Sequence, residues 1–134
     1  EHFRYINNAD PMKAKQLAKG IDQLMDEGVA QLFTGKHNGR KIIGTVGALQ
    51  FEVIQYRLEH EYGAKCDFLS QNIHKACWIE CDDKKKLKEF IDSKYRHIAK
   101  DKDGKLVFMA ESKSWLQMVE DNFPDIMFHF ISEF

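Results

Sequence analysis

Apolar and polar positions alternate at the start of the chain: Phe3 and Tyr5 share one side and Arg4 and Ile6 the other, which predicts a strand over 2–7. The period then lengthens. Leu17, Ile21, Leu24 and Met25 recur at helical spacing over 12–27, behind Asp10 as N-cap and Pro11 at the first helical position, with Gly28 as the stop. Strands are predicted over 30–34 and 40–46, joined through Asn38-Gly39, a pair favoured in tight hairpins. A helix over 48–62 follows at once and ends at Gly63, before a strand over 64–70. On that helix Leu49, Val53, Tyr56 and Leu58 are assigned to the inner side, and Glu52, Glu59 and Glu61 to the outer. The first half thus reads β-α-β-β-α-β, the order of the ferredoxin-like sandwich.

The second half is read differently. Cys77, Ile79 and Cys81 alternate in a strand over 75–81, and Asp82-Asp83 caps a helix running to about Ala99, with Leu87, Phe90, Ile91 and Ile98 on its apolar side. "KDKDGK" is a turn, 106–110 a strand, 114–123 a helix stopped by Pro124, and 126–131 a last strand. The expected fold class is therefore α+β: a ferredoxin-like βαββαβ sandwich over 1–72, with a βαβαβ extension over 73–134 packed against it as one compact unit.

Composition narrows the function. A chain of 134 residues, 43% apolar and 31% charged, buries an ordinary soluble core without disulfide or metal. A net charge of −1 excludes a strongly basic nucleic-acid binder but not a local basic patch. No apolar run is long enough for a membrane helix, so no membrane partner is expected. The N-terminus is no signal peptide, and because it opens inside a predicted strand the chain is expected to be a fragment of a longer protein. Three cysteines without a secretory signal fit a reducing cytoplasm.

No catalytic or cofactor constellation assembles. In "GKHNGRK", Gly35 and Gly39 are too close for a phosphate loop, and Ile42 replaces the hydroxyl it would need, so a hairpin turn is expected. Cys77 and Cys81 fall on the apolar face of one strand, about 13 Å apart at strand rise, too far to share one zinc ion. "DKDG" lacks the glutamate of a calcium loop, because Ser112 stands twelfth from Asp101. The strand at 40–46 carries no aromatic residue, which argues against base stacking in the manner of an RNA-recognition motif. The basic residues Lys13, Lys15 and Lys19, with Arg40 and Lys41, remain as candidate phosphate contacts. "KKKLK" (84–88) places cations near a helix start, where the dipole disfavours them and an external anion would help.

The stretch "GALQFEV" (47–53) carries a resemblance. A glycine followed by x-Leu-Gln-Phe-acid-hydrophobic at a strand-to-helix joint resembles the third domain of translational GTPases, and in this form the bacterial peptide chain release factor three family. The stretches 10–33, 78–90 and 123–130 are similar to the same family's first helix and second strand and to its C-terminal extension. The resemblance implies a non-catalytic C-terminal domain. GTP and Mg²⁺ would belong to an N-terminal domain outside this chain, and no cofactor to this one. It further implies a cytoplasmic domain docked on the small ribosomal subunit, touching rRNA and ribosomal protein and coupled to the parent's GTPase and barrel domains. Codon-reading release factors would be served indirectly, by speeding their departure. Gly47, Leu49 and Val53 would form the structural joint, with Gln50 and Glu52 either capping the helix or making contacts. The alternative is a stand-alone ferredoxin-like regulatory domain that binds a small ligand or dimerises.

Overall fold

Eight strands and four α-helices make up the computed structural model, which describes residues 1–131. They divide into two units: residues 1–32 with 40–71, and residues 33–39 with the chain from Asn72 onward. In the first lie β1 (His2–Asn8), α1 (Ala14–Asp26), β3 (Lys41–Thr45), α2 (Leu49–Tyr62) and β4 (Cys66–Ser70). Strand β2 (Gln31–Gly35) is divided, its first two residues belonging here and Phe33–Gly35 to the second unit.

The strand order of the first unit is β4-β1-β3-β2. Strand β1 runs antiparallel to β3, with Phe3 opposite Gly44 and Tyr5 opposite Ile42, and antiparallel to β4. Helix α1 buries Leu17, Ile21, Leu24 and Met25, the stripe expected from its spacing. Its first turn differs from expectation: Asp10 caps a 3-10 turn over Pro11–Lys13, its carboxylate accepting from Met12 N, and the α-helix starts only at Ala14. Helix α2 contributes Phe51, Ile54 and Leu58 to the same core, beside Ile6, Leu32, Ile43 and Cys66 from the strands. Gly63, at φ 64°, ends α2 in the left-handed region, where Gly63 N and Ala64 N reach back to Glu59 O and Leu58 O.

The second unit contains β5 (Lys75–Glu80), α3 (Lys84–Ser93), β6 (Ile98–Asp101), β7 (Leu106–Ala110), α4 (Lys113–Asn122) and β8 (Met127–His129). Strand order is β2-β6-β7-β5-β8, with β6 antiparallel to β2 and β7, and β5 antiparallel to β7 and β8. This corrects the expected helix to Ala99. Helix α3 stops at Ser93, whose hydroxyl donates to Phe90 O, and a 3-10 turn at Tyr95–His97 leads into β6. Ile98 sits seven residues after Ile91, so a strand of four residues mimics one more helical repeat. The last strand is also shorter than expected. The second half is therefore β-α-β-β-α-β as well, and its own strands follow the permutation seen in the first. Both units are α+β and compatible with a ferredoxin-like sandwich.

Phe90 centres this second core, with ring centroids 4.9 Å from Phe123, 5.5 Å from Phe108 and 5.8 Å from Phe128, all edge-on. On the opposite face of the sheet, Trp78 of β5 meets Phe33 of β2 at 5.8 Å between centroids. Two strands, β6 and β7, lie between them, so the two large side chains meet across the face of the sheet. Trp78 Nε1 donates to Asp101 Oδ2 at 2.9 Å, while Asp101 Oδ1 accepts from Asp103 N and Lys105 N. The acid that resembled a calcium ligand thus organises the β6–β7 turn.

Helices α1 and α2 approach closely at Gly20, where an added Cβ would lie 2.6 Å from Leu58 Cδ2 and 2.9 Å from Tyr62 Cγ. Both neighbours are packed, so they cannot simply step aside. Gly20→Ala is expected to lower stability by about 1–2 kcal/mol in urea titration despite alanine's better helix propensity.

Candidate functional site

The joint between β3 and α2 is held by one side chain. Gln50 Oε1 accepts from Val46 N and from Gly47 N, each at 2.9 Å, and Gln50 Nε2 donates to Val29 O at 3.2 Å. Thr45, buried, donates its hydroxyl to Gly47 O at 2.9 Å. Gln50 therefore ties the start of the helix to the end of β3 and to the connection between α1 and β2. Gly47 itself is not in the left-handed region, and a Cβ there would meet nothing. The tight joint is set by Gln50 and Thr45, which corrects the expectation that it needs glycine's freedom.

Leu49 and Val53 are corrected too. Neither anchors the helix on the sheet: Leu49 is 74% exposed and Val53 52%, with Tyr56 at 63% and Val46, just before the helix, at 84%. Phe51, Ile54 and Leu58 are the buried residues. At 100° per residue, Leu49, Val53 and Tyr56 form a stripe diametrically opposite the buried one. A helix apolar on two opposite faces carries no periodic signal for which face turns inward. Glu52 and Glu59, both exposed, line one flank of the outer stripe. On the other flank Arg57 forks onto Glu27 at 2.9 and 3.2 Å and also reaches Glu61 at 2.6 Å. Its hydrogen bonds to Glu61 and Glu27 hold the Arg57 guanidinium above its ordinary range, and Arg57 holds Glu61 below its own. Tyr56 stacks on His60 at 4.1 Å and 27°.

The basic candidates do not form one patch. Lys13, Lys15 and Lys19 are exposed on the outer side of the α1 segment. Arg40 lies over Tyr5, 3.7 Å from the ring centroid, and Arg40 Nη2 donates to Asn7 Oδ1 at 2.8 Å. Tyr5 and Asn7 alternate with Ile6, which faces the helices, so Arg40 sits on the opposite face of the sheet from the α1 lysines. Lys41, next in β3, is half-buried. Of the "KKKLK" run, Lys86 pairs with Asp125 and Lys88 with Asp92, each at 2.8 Å. Internal carboxylates thus meet part of the charge for which an external anion was expected.

Among the described residues no group of three or more His, Cys, Asp or Glu could hold a metal ion. Cys66 and Cys77 are buried thiols outside any disulfide, and Cys81 is half-buried. Burial pushes the Cys66 thiol up to about 11, helped by Asp67 and Glu59. A thiol raised in the fold favours folding while protonated, so its contribution is complete below the unfolded value near 9 and lost as pH rises toward 11. Stability of the wild type should therefore fall across that window more steeply than that of Cys66→Ala, measured by urea titration at each pH.

Gln50→Ala removes three hydrogen bonds and should cost about 1–3 kcal/mol in the same assay. Leu49→Ser, Val53→Ser and Tyr56→Ser, acting on exposed positions, should each stay within about 0.5 kcal/mol.

No helix among the described residues is long and apolar enough to cross a membrane. The family model for the C-terminal domain of class II release factor RF3 matches residues 1–120 of the 134. That span holds the "GALQFEV" joint, both α1 and α2, and the second unit through most of α4, while the stretch at 123–130 lies beyond it. With most of its length matched, this chain belongs to the family of C-terminal domains of class II release factor RF3, a translation-termination family.

Proposed function

We propose that the chain is a non-catalytic docking and coupling domain of a translation-termination GTPase. It seats on the small ribosomal subunit in the cytoplasm, against rRNA and ribosomal protein. It relays the nucleotide-dependent movement of the parent's GTPase and barrel domains, and so speeds the departure of codon-reading release factors. GTP and Mg²⁺ are bound by that GTPase domain, and this chain has no turnover of its own.

The observation that carries this reading is the outward stripe of α2, Leu49, Val53 and Tyr56, with Val46 exposed just before it, on a domain of this family. Three large apolar side chains at successive turns of one helix are not scattered surface residues. An apolar face of this kind is covered in the working assembly. Its acidic flank, Glu52 and Glu59, repels phosphate and suits a protein neighbour, while Lys13, Lys15 and Lys19 present cations toward RNA from a different helix.

Co-sedimentation of the chain with small subunits over a salt series tests the docking. Binding is expected at low salt, and Lys13→Glu/Lys15→Glu/Lys19→Glu should weaken it by about tenfold or more and flatten its salt dependence. In the full-length factor, Leu49→Ser/Val53→Ser/Tyr56→Ser should slow release-factor recycling without lowering the melting temperature. Unchanged pelleting and unchanged recycling in both sets would overturn the proposal.

A further inference from the structure

The tip between β2 and β3 and the 3-10 turn after α3 come from residues about sixty apart in sequence, and both stretches lack acids. No Asp or Glu occurs from 28 to 51 or from 93 to 100. The fold brings them together within the second unit. Lys36 N donates to Ile98 O at 2.9 Å, Tyr95 Oη reaches Lys36 O at 3.4 Å, and the His37 and Tyr95 rings meet edge-on at 6.3 Å. Lys36, His37 and Arg96 are exposed, and Tyr95 is 45% exposed. Neither Lys36 nor Arg96 takes part in an ion pair among the described residues, in contrast to Lys86 and Lys88.

We infer that this corner is a contact for single-stranded RNA. Tyr95 is 45% exposed beside the His37 ring, which offers an aromatic surface to stack an unpaired base, and the exposed Lys36 and Arg96, adjacent in sequence to the two rings, supply cations for the phosphates next to it. Stacking of this kind discriminates against a closed duplex, whose bases are already stacked, and it is tolerant of base identity. The absent aromatic on β3 is thus no obstacle, because the stacking rings sit at the strand's turn and not on the sheet. The hydrogen bond from Lys36 N to β6 holds the tip in place before any RNA arrives. The inference rests on the ribosome-docking reading and adds the place and manner of one RNA contact.

The test is fluorescence anisotropy of the chain with a labelled single strand of about ten nucleotides, and with a duplex of equal length, at several salt concentrations. The single strand should bind more tightly than the duplex. Tyr95→Ala should weaken single-strand binding about fivefold or more, and Tyr95→Phe, which keeps the ring, should leave it unchanged. Lys36→Gln/Arg96→Gln should reduce the log–log salt slope by about 1.4. Equal binding by wild type, Tyr95→Ala and Lys36→Gln/Arg96→Gln would overturn the inference, as would preference for the duplex or for anionic vesicles. Co-sedimentation with small subunits separates the two readings. If wild type and both variants pellet alike and bind RNA alike, docking stands and this contact falls. If wild type neither pellets nor binds RNA, both fall.

Discussion

The amide of Gln50 fixes how α2 is turned about its own axis. With two backbone donors of the β3 end on its oxygen and the Val29 carbonyl on its nitrogen, it leaves the first turn of the helix one rotational setting. That setting sends Phe51, Ile54 and Leu58 into the core and Leu49, Val53 and Tyr56 to solvent. A helix with apolar stripes on opposite sides would gain similar burial from either orientation, so burial alone does not choose. A few directional hydrogen bonds at one end decide it, and the inner surface of the domain and its outward apolar stripe are determined together.

The same ambiguity explains which parts of the fold were legible in the sequence. Helix α1 has one apolar stripe and one stop signal, and its core residues follow directly from spacing. On α2, spacing assigns the exposed Leu49 and Val53 to the inner side, because periodicity measures the separation of apolar residues but carries no direction when both sides qualify. Strand β6 was hidden for a related reason: four residues are too few to establish a period of two, and Ile98 continues the α3 register by coincidence. The site was legible as a motif, since "GALQFEV" marks the joint, but its working parts were exchanged. The motif assigns the turn to glycine and leaves glutamine between capping and contact, whereas the glutamine side chain holds the joint by accepting from Val46 N and Gly47 N.

Charge is arranged more finely than the near-zero total implies. Three of the four arginines are committed to structure: Arg57 to Glu27 and Glu61, Arg40 to Tyr5 and Asn7, and Arg4 lies over Phe51 at 4.3 Å. Their planar forks suit fixed partners better than an ammonium would. Lysines at the α1 start and at the β2–β3 tip remain solvated. A pI near neutrality is therefore compatible with local cationic surfaces, because most acids are spent on neighbours or helix caps.

Strand β2 has one further consequence, for synthesis on the ribosome. Phe33, fully buried, and the two residues after it pair with Ala99–Asp101, which leave the exit tunnel more than sixty residues later. During that interval the end of β2 is an unpaired edge carrying an apolar ring, the feature that invites wrong pairing in nascent chains. Pairing of that edge has to wait for β6, and the cationic, acid-free tip that follows β2 is the kind of charged flank that disfavours wrong edge pairing.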